Sequence, residues 1–500
     1  MTAVVTPIDA FGFDNTYARQ LEGFYAPWQA VAVADPRLLR LNHDLARSLG
    51  LDPSGLDGPT GTAIFSGNVA PPDAAPIAQA YAGHQFGGFS PQLGDGRALL
   101  LGEIVDPHGN RFDIALKGSG RTPFSRGGDG RAALGPVLRE YLMGEAMHAL
   151  GVPTTRALAV VATGERVLRD RPLPGAVLTR VASSHLRIGT FQFFAARGEV
   201  DKLRRLVDYA LARHDPQLVD HPNPALALLT AVIDRQSALV ATWMNVGFIH
   251  GVQNTDNVTV SGETIDYGPC AFIEGFDPGA TFSSIDEGGR YAYGRQPSIS
   301  KWNMARLAEA LLPLIADEGE LAVERATEVL DTFDGLYQKR LLEGLRSKLA
   351  LTSTEQSLDT DRSLADDWLV LLADERVDLT LAWRHLADVA DGNAQPLQSL
   401  FVDRARLDSW LERWLDRLGA DPVDAPRAAD RLRRVNPVHV PRNHLVEEAL
   451  AAAVDHDDLG PFERLLDVVS DPYVDRVEDH RYAQPAPIDF TATYRTFCGT

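Results

Sequence analysis

Two apolar-rich runs, Ala98–Val105 and Arg111–Lys117, flank Asp106-Pro107-His108-Gly109-Asn110, and this arrangement constrains the fold more than any other stretch of the chain. The intervening residues are turn formers, so the segment reads as a β-hairpin. In its second strand the period of two puts Phe112, Ile114 and Leu116 on one face and Asp113, Ala115 and Lys117 on the other, so Lys117 is expected to point away from the core. Gly118-Ser119-Gly120 and Gly127-Gly128-Asp129-Gly130 follow at once. Leu134, Val137, Leu138, Tyr141, Leu142 and Ala149 then recur at helical spacing, predicting a helix over about residues 131–150. Short strands are expected over residues 157–162, 165–169 and 176–182, with a turn at Gly164 and a break from Pro172 to Gly175. The region is therefore a sheet with one main helix.

A strand lysine before a glycine-laden loop suits phosphate, because glycines let backbone N–H groups approach oxygens without a Cβ clash. Further along, after a helical run over residues 226–244, the chain reads His250-Gly-Val-Gln-Asn-Thr-Asp-Asn257, followed by Asp266-Tyr267-Gly268. Protein kinases carry His-Arg-Asp-x-x-x-x-Asn and then Asp-Phe-Gly, with the Asn and second Asp on metal ions. Superposing the patterns puts Asn257 and Asp266 on those ligands and Val252 where the kinase base belongs. Val cannot take a proton, and Asp256 is the nearest carboxylate that can. Asn254, Asp256 and Asn257 would also suit a capped turn before a small hairpin, residues 258–260 against 264–266, but Asp266-Tyr267-Gly268 at that spacing favours the metal reading. Either Glu140 or Glu145 could pair with Lys117. Glu145 lies in the apolar stripe of the helix and would need a buried cation, whereas Glu140 lies off it. Arg180 and Arg187 bracket a short segment and could grip a polyphosphate.

Composition narrows the partners. The 500 residues carry 68 Asp and Glu against 48 Lys and Arg, a formal net charge of −20, which repels nucleic acid and anionic membrane. The length favours more than one packed lobe. Cys270 and Cys498 are the two cysteines and have no zinc-ligand spacing. Neither a targeting segment nor a run of about 18 uninterrupted apolar residues is evident, so a cytoplasmic protein is expected. Residues 306–315, 318–351, 363–373, 379–390, 405–418 and 444–453 carry helix-like patterns.

With these residues in place, the chain resembles the selenoprotein O family, whose bacterial members are called YdiU-like. The resemblance is carried by Tyr81-Ala-Gly-His-Gln-Phe-Gly87, Pro91-Gln-Leu-Gly-Asp-Gly-Arg97, Leu116 to Gly130, and His250 to Asn257 with Asp266-Tyr-Gly268, and it continues weakly to Phe497-Cys498-Gly499-Thr500. It implies an α+β, protein-kinase-like bilobal fold with an additional helical C-terminal region. Residues 1–85 would be an N-terminal extension, 86–190 the nucleotide-binding lobe, 191–300 the catalytic lobe core and 301–500 helical. It also implies ATP bound in an inverted orientation and AMP transferred to Ser, Thr or Tyr hydroxyls of acceptor proteins, with UTP and Mn²⁺ as a possible alternative pair. Gly94, Gly96, Arg97, Lys117, Asp129, Gly130, Arg180, Arg187 and Asp266 would line the nucleotide site. Asp256 would accept the proton, Asn257 and Asp266 would hold Mg²⁺ or Mn²⁺, and Glu140 would pair with Lys117. Cys498 stands near the position of the family's selenocysteine, and a Cys270–Cys498 disulfide could tether the tail. A conventional phosphotransferase and a non-catalytic nucleotide-binding scaffold are the competing readings.

Overall fold

A computed structural model describes residues 11–352, 357–419 and 427–497, a mixed α/β chain with one large sheet and many helices. The strands are β1 (Tyr25–Pro27), β2 (Arg37–Leu41), β3 (Ile77–Gln79), β4 (Gly83–Gln85), β5 (Gly88–Ser90), β6 (Ala98–Val105), β7 (Arg111–Lys117), β8 (Ala132–Ala133), β9 (Arg156–Leu168), β10 (Pro172–Ala182), β11 (Phe248–Ile249) and β12 (Ala271–Phe272). The main sheet is antiparallel in the order β1-β3-β6-β7-β10-β9-β2, with β8 on β10. The expected hairpin is β6 and β7 with the boundaries read from the sequence. Segments before residue 86 supply β1, β2 and β3 to the same sheet.

The alternation on β7 holds, but both of its faces are covered. On one, Leu45, Leu49, Leu56, Ile64 and Phe65 from short helices between residues 43 and 65 pack against Ile114, Leu116, Val161 and Val177. On the other lie the helices Leu134–Ala149 and Val200–His214, so Asp113 and Ala115 are only 3% and 4% exposed. Lys117 thus points away from one core and into covered space, not into solvent. The strands expected over 157–162 and 165–169 are one strand, β9, because Gly164 (φ +72°) bends it without turning it; the reversal falls at residues 169–171. The segment from Pro172 to Gly175 belongs to β10, with a register shift between Pro174 and Ala176.

Residues 258–260 and 264–266 do not form the small hairpin expected of them. Thr259 bridges to Arg187 and Thr264 to Thr154, so the turn between them is stitched to the sheet-bearing part of the chain. The run over 318–351 divides into Gly319–Leu330 and Thr332–Lys348, since helical period alone does not reveal the break at Asp331. Helix Pro224–Val246 is long and apolar enough to cross a membrane by length and composition, yet 61% of its most apolar window is buried within the protein as a core helix. A second core gathers Trp368, Trp383, Trp410 and Trp414, with Trp368 and Trp410 stacked at 4.4 Å. At the far end of the described chain Thr496 donates to the Pro269 carbonyl at 2.8 Å. Cys270 is buried; Cys498 lies outside the described residues.

Candidate active site

Between the sheet and the segments around residues 252 and 266 opens a cavity of ≈ 690 Å³. Every nominated residue lines it: Gly94, Gly96, Arg97, Lys117, Asp129, Gly130, Arg180, Arg187, Asp256, Asn257 and Asp266, together with Glu140. Strand pairing explains how distant residues converge. Lys117 closes β7 directly opposite Leu178 of β10, and Arg180 lies two residues on, so both project from one face toward helix Leu134–Ala149.

Asp266 is the focus. Lys117 Nζ donates to its Oδ1 at 2.6 Å, Arg180 Nη1 to the same oxygen at 2.8 Å, and Arg187 Nη1 to Oδ2 at 3.0 Å. Burial alone would raise this carboxyl, but Lys117, Arg180 and Arg187 hold it well below the usual carboxylate range. Its backbone sits at φ +65°, a left-handed conformation that costs an ordinary residue roughly 1–2 kcal/mol. The three charge-assisted hydrogen bonds offset that cost. Burial works against charge on Arg187, yet Tyr81, Asp266 and Asp95 together raise its pKa, and its guanidinium lies 4.7 Å from the Tyr81 ring centre.

The two candidate glutamates separate cleanly. Glu140 Oε2 accepts from Lys117 at 2.5 Å and Oε1 from Arg180 at 3.2 Å. Glu145 has its own cation, accepting from Arg156 at 2.5 and 2.7 Å and from Asn42 at 2.9 Å. The buried carboxylate in the apolar stripe did need a partner, and the neighbouring strand β9 supplies it.

Asp256 is 7% exposed, and burial pushes its carboxyl up to about 6 against an opposing hydrogen bond from Gln85. Gln85 Nε2 donates to Oδ2 at 3.0 Å, whereas Oδ1 is buried with no partner. A buried carboxylate oxygen left unpaired costs free energy unless something else donates to it. Asn257 Nδ2 donates to the Val252 carbonyl at 2.9 Å, which leaves its amide oxygen as the atom available to a cation. That oxygen and the Asp266 carboxylate are hard donors of the kind Mg²⁺ and Mn²⁺ take. Among the described residues no group of three His, Cys, Asp or Glu could cage a metal alone, so such an ion would complete its shell with other oxygens, from water or a bound molecule. Val252, which the sequence pattern aligns with the kinase base, lines the cavity.

The glycine loops serve the cavity by packing closely. Gly94 (φ +75°) leaves 2.4 Å between a would-be Cβ and the Phe124 ring, and Gly130 (φ +70°) would drive a Cβ to 2.2 Å from the Gly120 backbone. Asp129 is turned outward, bound to Arg169 at 2.8 Å and accepting the Arg131 N–H at 2.9 Å. Gln85, Phe86, Tyr81 and Asp95 also line the cavity but received no role from the sequence, and Asn254, read there only as a turn cap, lines it too. For Gln85 and Phe86 a signal was present: Phe86-Gly87 is a two-residue hairpin turn between β4 and β5, with Phe86 at φ +51° and Gly87 at φ +88°.

Comparisons with known proteins place the chain in a family. The profile of the family described as protein adenylyltransferase SelO matches residues 7–470. A protein nucleotidyltransferase YdiU from Cereibacter sphaeroides is 61% identical over 491 residues, 98% of this chain and 100% of the relative. Proteins of the same name from Chromobacterium violaceum and Rhodopseudomonas palustris are 57% and 54% identical, covering 95% and 98% of this chain and 99% of each relative. The chain belongs to the protein adenylyltransferase SelO family.

Proposed function

We propose that the chain transfers AMP from ATP to Ser, Thr or Tyr hydroxyls of acceptor proteins, with UTP and Mn²⁺ as an alternative donor and metal, on a protein-kinase-like bilobal scaffold in the cytoplasm. The observation that carries this reading is the convergence of Lys117, Arg180 and Arg187 on Asp266 inside the cavity. A kinase cleft manages with one such lysine. Two additional buried guanidiniums supply the charge needed to hold the β- and γ-phosphates deep, which leaves the α-phosphorus toward the acceptor.

In the proposed reaction the acceptor oxygen attacks the α-phosphorus as its bond to the bridging oxygen of the β-phosphate breaks. Pyrophosphate leaves with its charge met by Lys117, Arg180 and Arg187, and the hydroxyl proton passes to Asp256, whose Oδ1 has no other donor. Glu140 holds Lys117 and Arg180 in place. Asn257 and Asp266 would hold Mg²⁺ or Mn²⁺, which when bound would neutralise phosphate charge. Gly94, Gly96 and Gly130 would let the loops close around the nucleotide, with Arg97 and Asp129 at its boundary. ATP labelled at either the α- or the γ-phosphate tests the reading. Protein labelled from the α-position alone supports it, label from the γ-position alone indicates phosphoryl transfer, and label from neither under Mg²⁺ or Mn²⁺ indicates a scaffold.

A further inference from the structure

The hairpin β4–β5 stands apart from the main sheet and is latched to the segment that carries Asp256. The His84 N–H donates to Thr255 Oγ1 at 2.7 Å, the Phe86 N–H to Asn254 Oδ1 at 3.1 Å, and Gln85 Nε2 to Asp256 Oδ2 at 3.0 Å. Its tip nevertheless faces outward: Phe86 and Phe89 are 39% and 43% exposed. Large apolar rings on a strand pair of this size serve no core.

Beside the tip is an unusual arginine. The Arg290 guanidinium lies 4.7 Å from the Trp302 ring centre and about as close to the hairpin, 3.8 Å from where a Cβ on Gly87 would sit. Its Nε is buried without a hydrogen-bond partner, and no carboxylate pairs with it among the described residues. In a chain of net charge −20 a ring-supported cation that meets the Tyr291 hydroxyl and no carboxylate is conspicuous. Arg306, on the same tryptophan at 5.0 Å, is by contrast paired with Glu309 at 2.6 Å. Trp302 also meets His84 edge-on at 5.4 Å, so rings and cation form one continuous patch beside the hairpin that holds Asp256.

Building on the AMP-transfer reading, we propose that this patch, Phe86 and Phe89 with Arg290 and Trp302, docks the acceptor segment, and that the segment it takes carries an acidic residue next to its hydroxyl. The rings supply sequence-tolerant contact, as exposed aromatics do at interfaces. Arg290 supplies the charge preference, because a carboxylate from the partner meets there a guanidinium that, unlike Arg306, has no carboxylate paired with it among the described residues. Gln85 ties the docked segment to the proton acceptor, so the same hairpin that holds the substrate orients Asp256.

The test uses the full chain, α-labelled ATP and two sets of synthetic peptides bearing Ser, Thr or Tyr, flanked by Glu in one set and by Lys in the other. Release of pyrophosphate without peptide is measured alongside. The wild type is expected to favour the Glu-flanked set by about tenfold in kcat/KM, mostly through KM. Arg290→Glu is expected to reverse the preference, with peptide-independent pyrophosphate release within about twofold of the wild type. Phe89→Ser, at an exposed ring, should raise KM for both sets by about threefold or more. Pyrophosphate release with charge-indifferent peptide labelling would overturn this surface alone. An unchanged preference in Arg290→Glu would do the same, and if that variant does not fold, an unchanged KM in Phe89→Ser decides against the surface. Neither peptide label nor pyrophosphate release from the wild type would sink the AMP-transfer reading and this surface with it.

Discussion

Two clusters of buried charge lie along one face of the sheet, and only one of them opens onto the cavity. The first is Lys117, Glu140, Arg180, Arg187 and Asp266. The second begins where Arg180 Nε meets His185 and continues through Asp113, Arg213 and Glu103. Glu103 and Asp113 face each other directly across β6 and β7, a repulsive placement for two carboxylates. Arg213 resolves it by donating to both, at 2.9 and 2.7 Å. None of the polar atoms of Glu103, Asp113, His185 or Arg213 is buried without a partner, whereas beside the first cluster Asp256 Oδ1 and Arg187 Nε are. Burial and charge are common to both clusters. What separates the two is hydrogen-bonding capacity left unspent in residues that line the cavity.

The sharpest way to break this contrast is Asp256→Ala. Removing the proposed proton acceptor should lower AMP transfer by about 10²–10⁴-fold while leaving ATP affinity within a few-fold, read by α-label incorporation and by calorimetry. Retained transfer would mean that the unpaired Oδ1 marks nothing. Asp266→Ala probes the same cluster differently. Arg187 loses its carboxylate partner, and Lys117 and Arg180 are left to share Glu140 alone, so folding stability should fall by about 3–5 kcal/mol in denaturant titration, with ATP binding and transfer both impaired.

Arg213→Met is the matching experiment in the second cluster. Glu103 and Asp113 would then confront each other with only the longer Arg111 contact to Glu103, 3.5 Å, left to offset them, and stability should fall by about 3 kcal/mol or more. Transfer per folded molecule should stay within about twofold of the wild type, since Arg213 touches nothing in the cavity. A loss of kcat with stability restored by lower temperature would show that the two clusters act as one.

The sequence disclosed the first cluster far better than the second, for physical reasons. Lys117 and the Asp256, Asn257 and Asp266 set lie in short local patterns whose chemistry needs those residue types at those spacings. The β6–β7 hairpin was legible to its ends because alternation and turn residues are local signals. Arg213 and Glu103 are 110 positions apart, and nothing local announces their contact. The same limit hid β1, β2 and β3, short strands whose partners are remote, and it hid Gln85 over Asp256, a contact spanning 171 positions. Glu145 teaches a further point: helical position alone said that it needed a cation, but only the register of β9 could say that the cation was Arg156.

The mildest expected effect lies at the edge of the second cluster, in Glu263. Burial pushes its carboxyl up to about 7, against hydrogen bonds from Ser183 and Ser261 that favour the charged form. An unfolded Glu titrates near 4.3, so between roughly pH 4.3 and 7 the folded chain binds the extra proton. The contribution to stability is therefore fully present below the unfolded value and lost as pH rises through about 7. Partial solvent access keeps it near ~1 kcal/mol. Glu263→Gln should flatten the fall in Tm between mildly acidic and mildly alkaline pH without altering AMP transfer at constant pH. A slope unchanged by the substitution would assign the pH response to other groups, and a change in transfer would extend the working site past His185 into the second cluster.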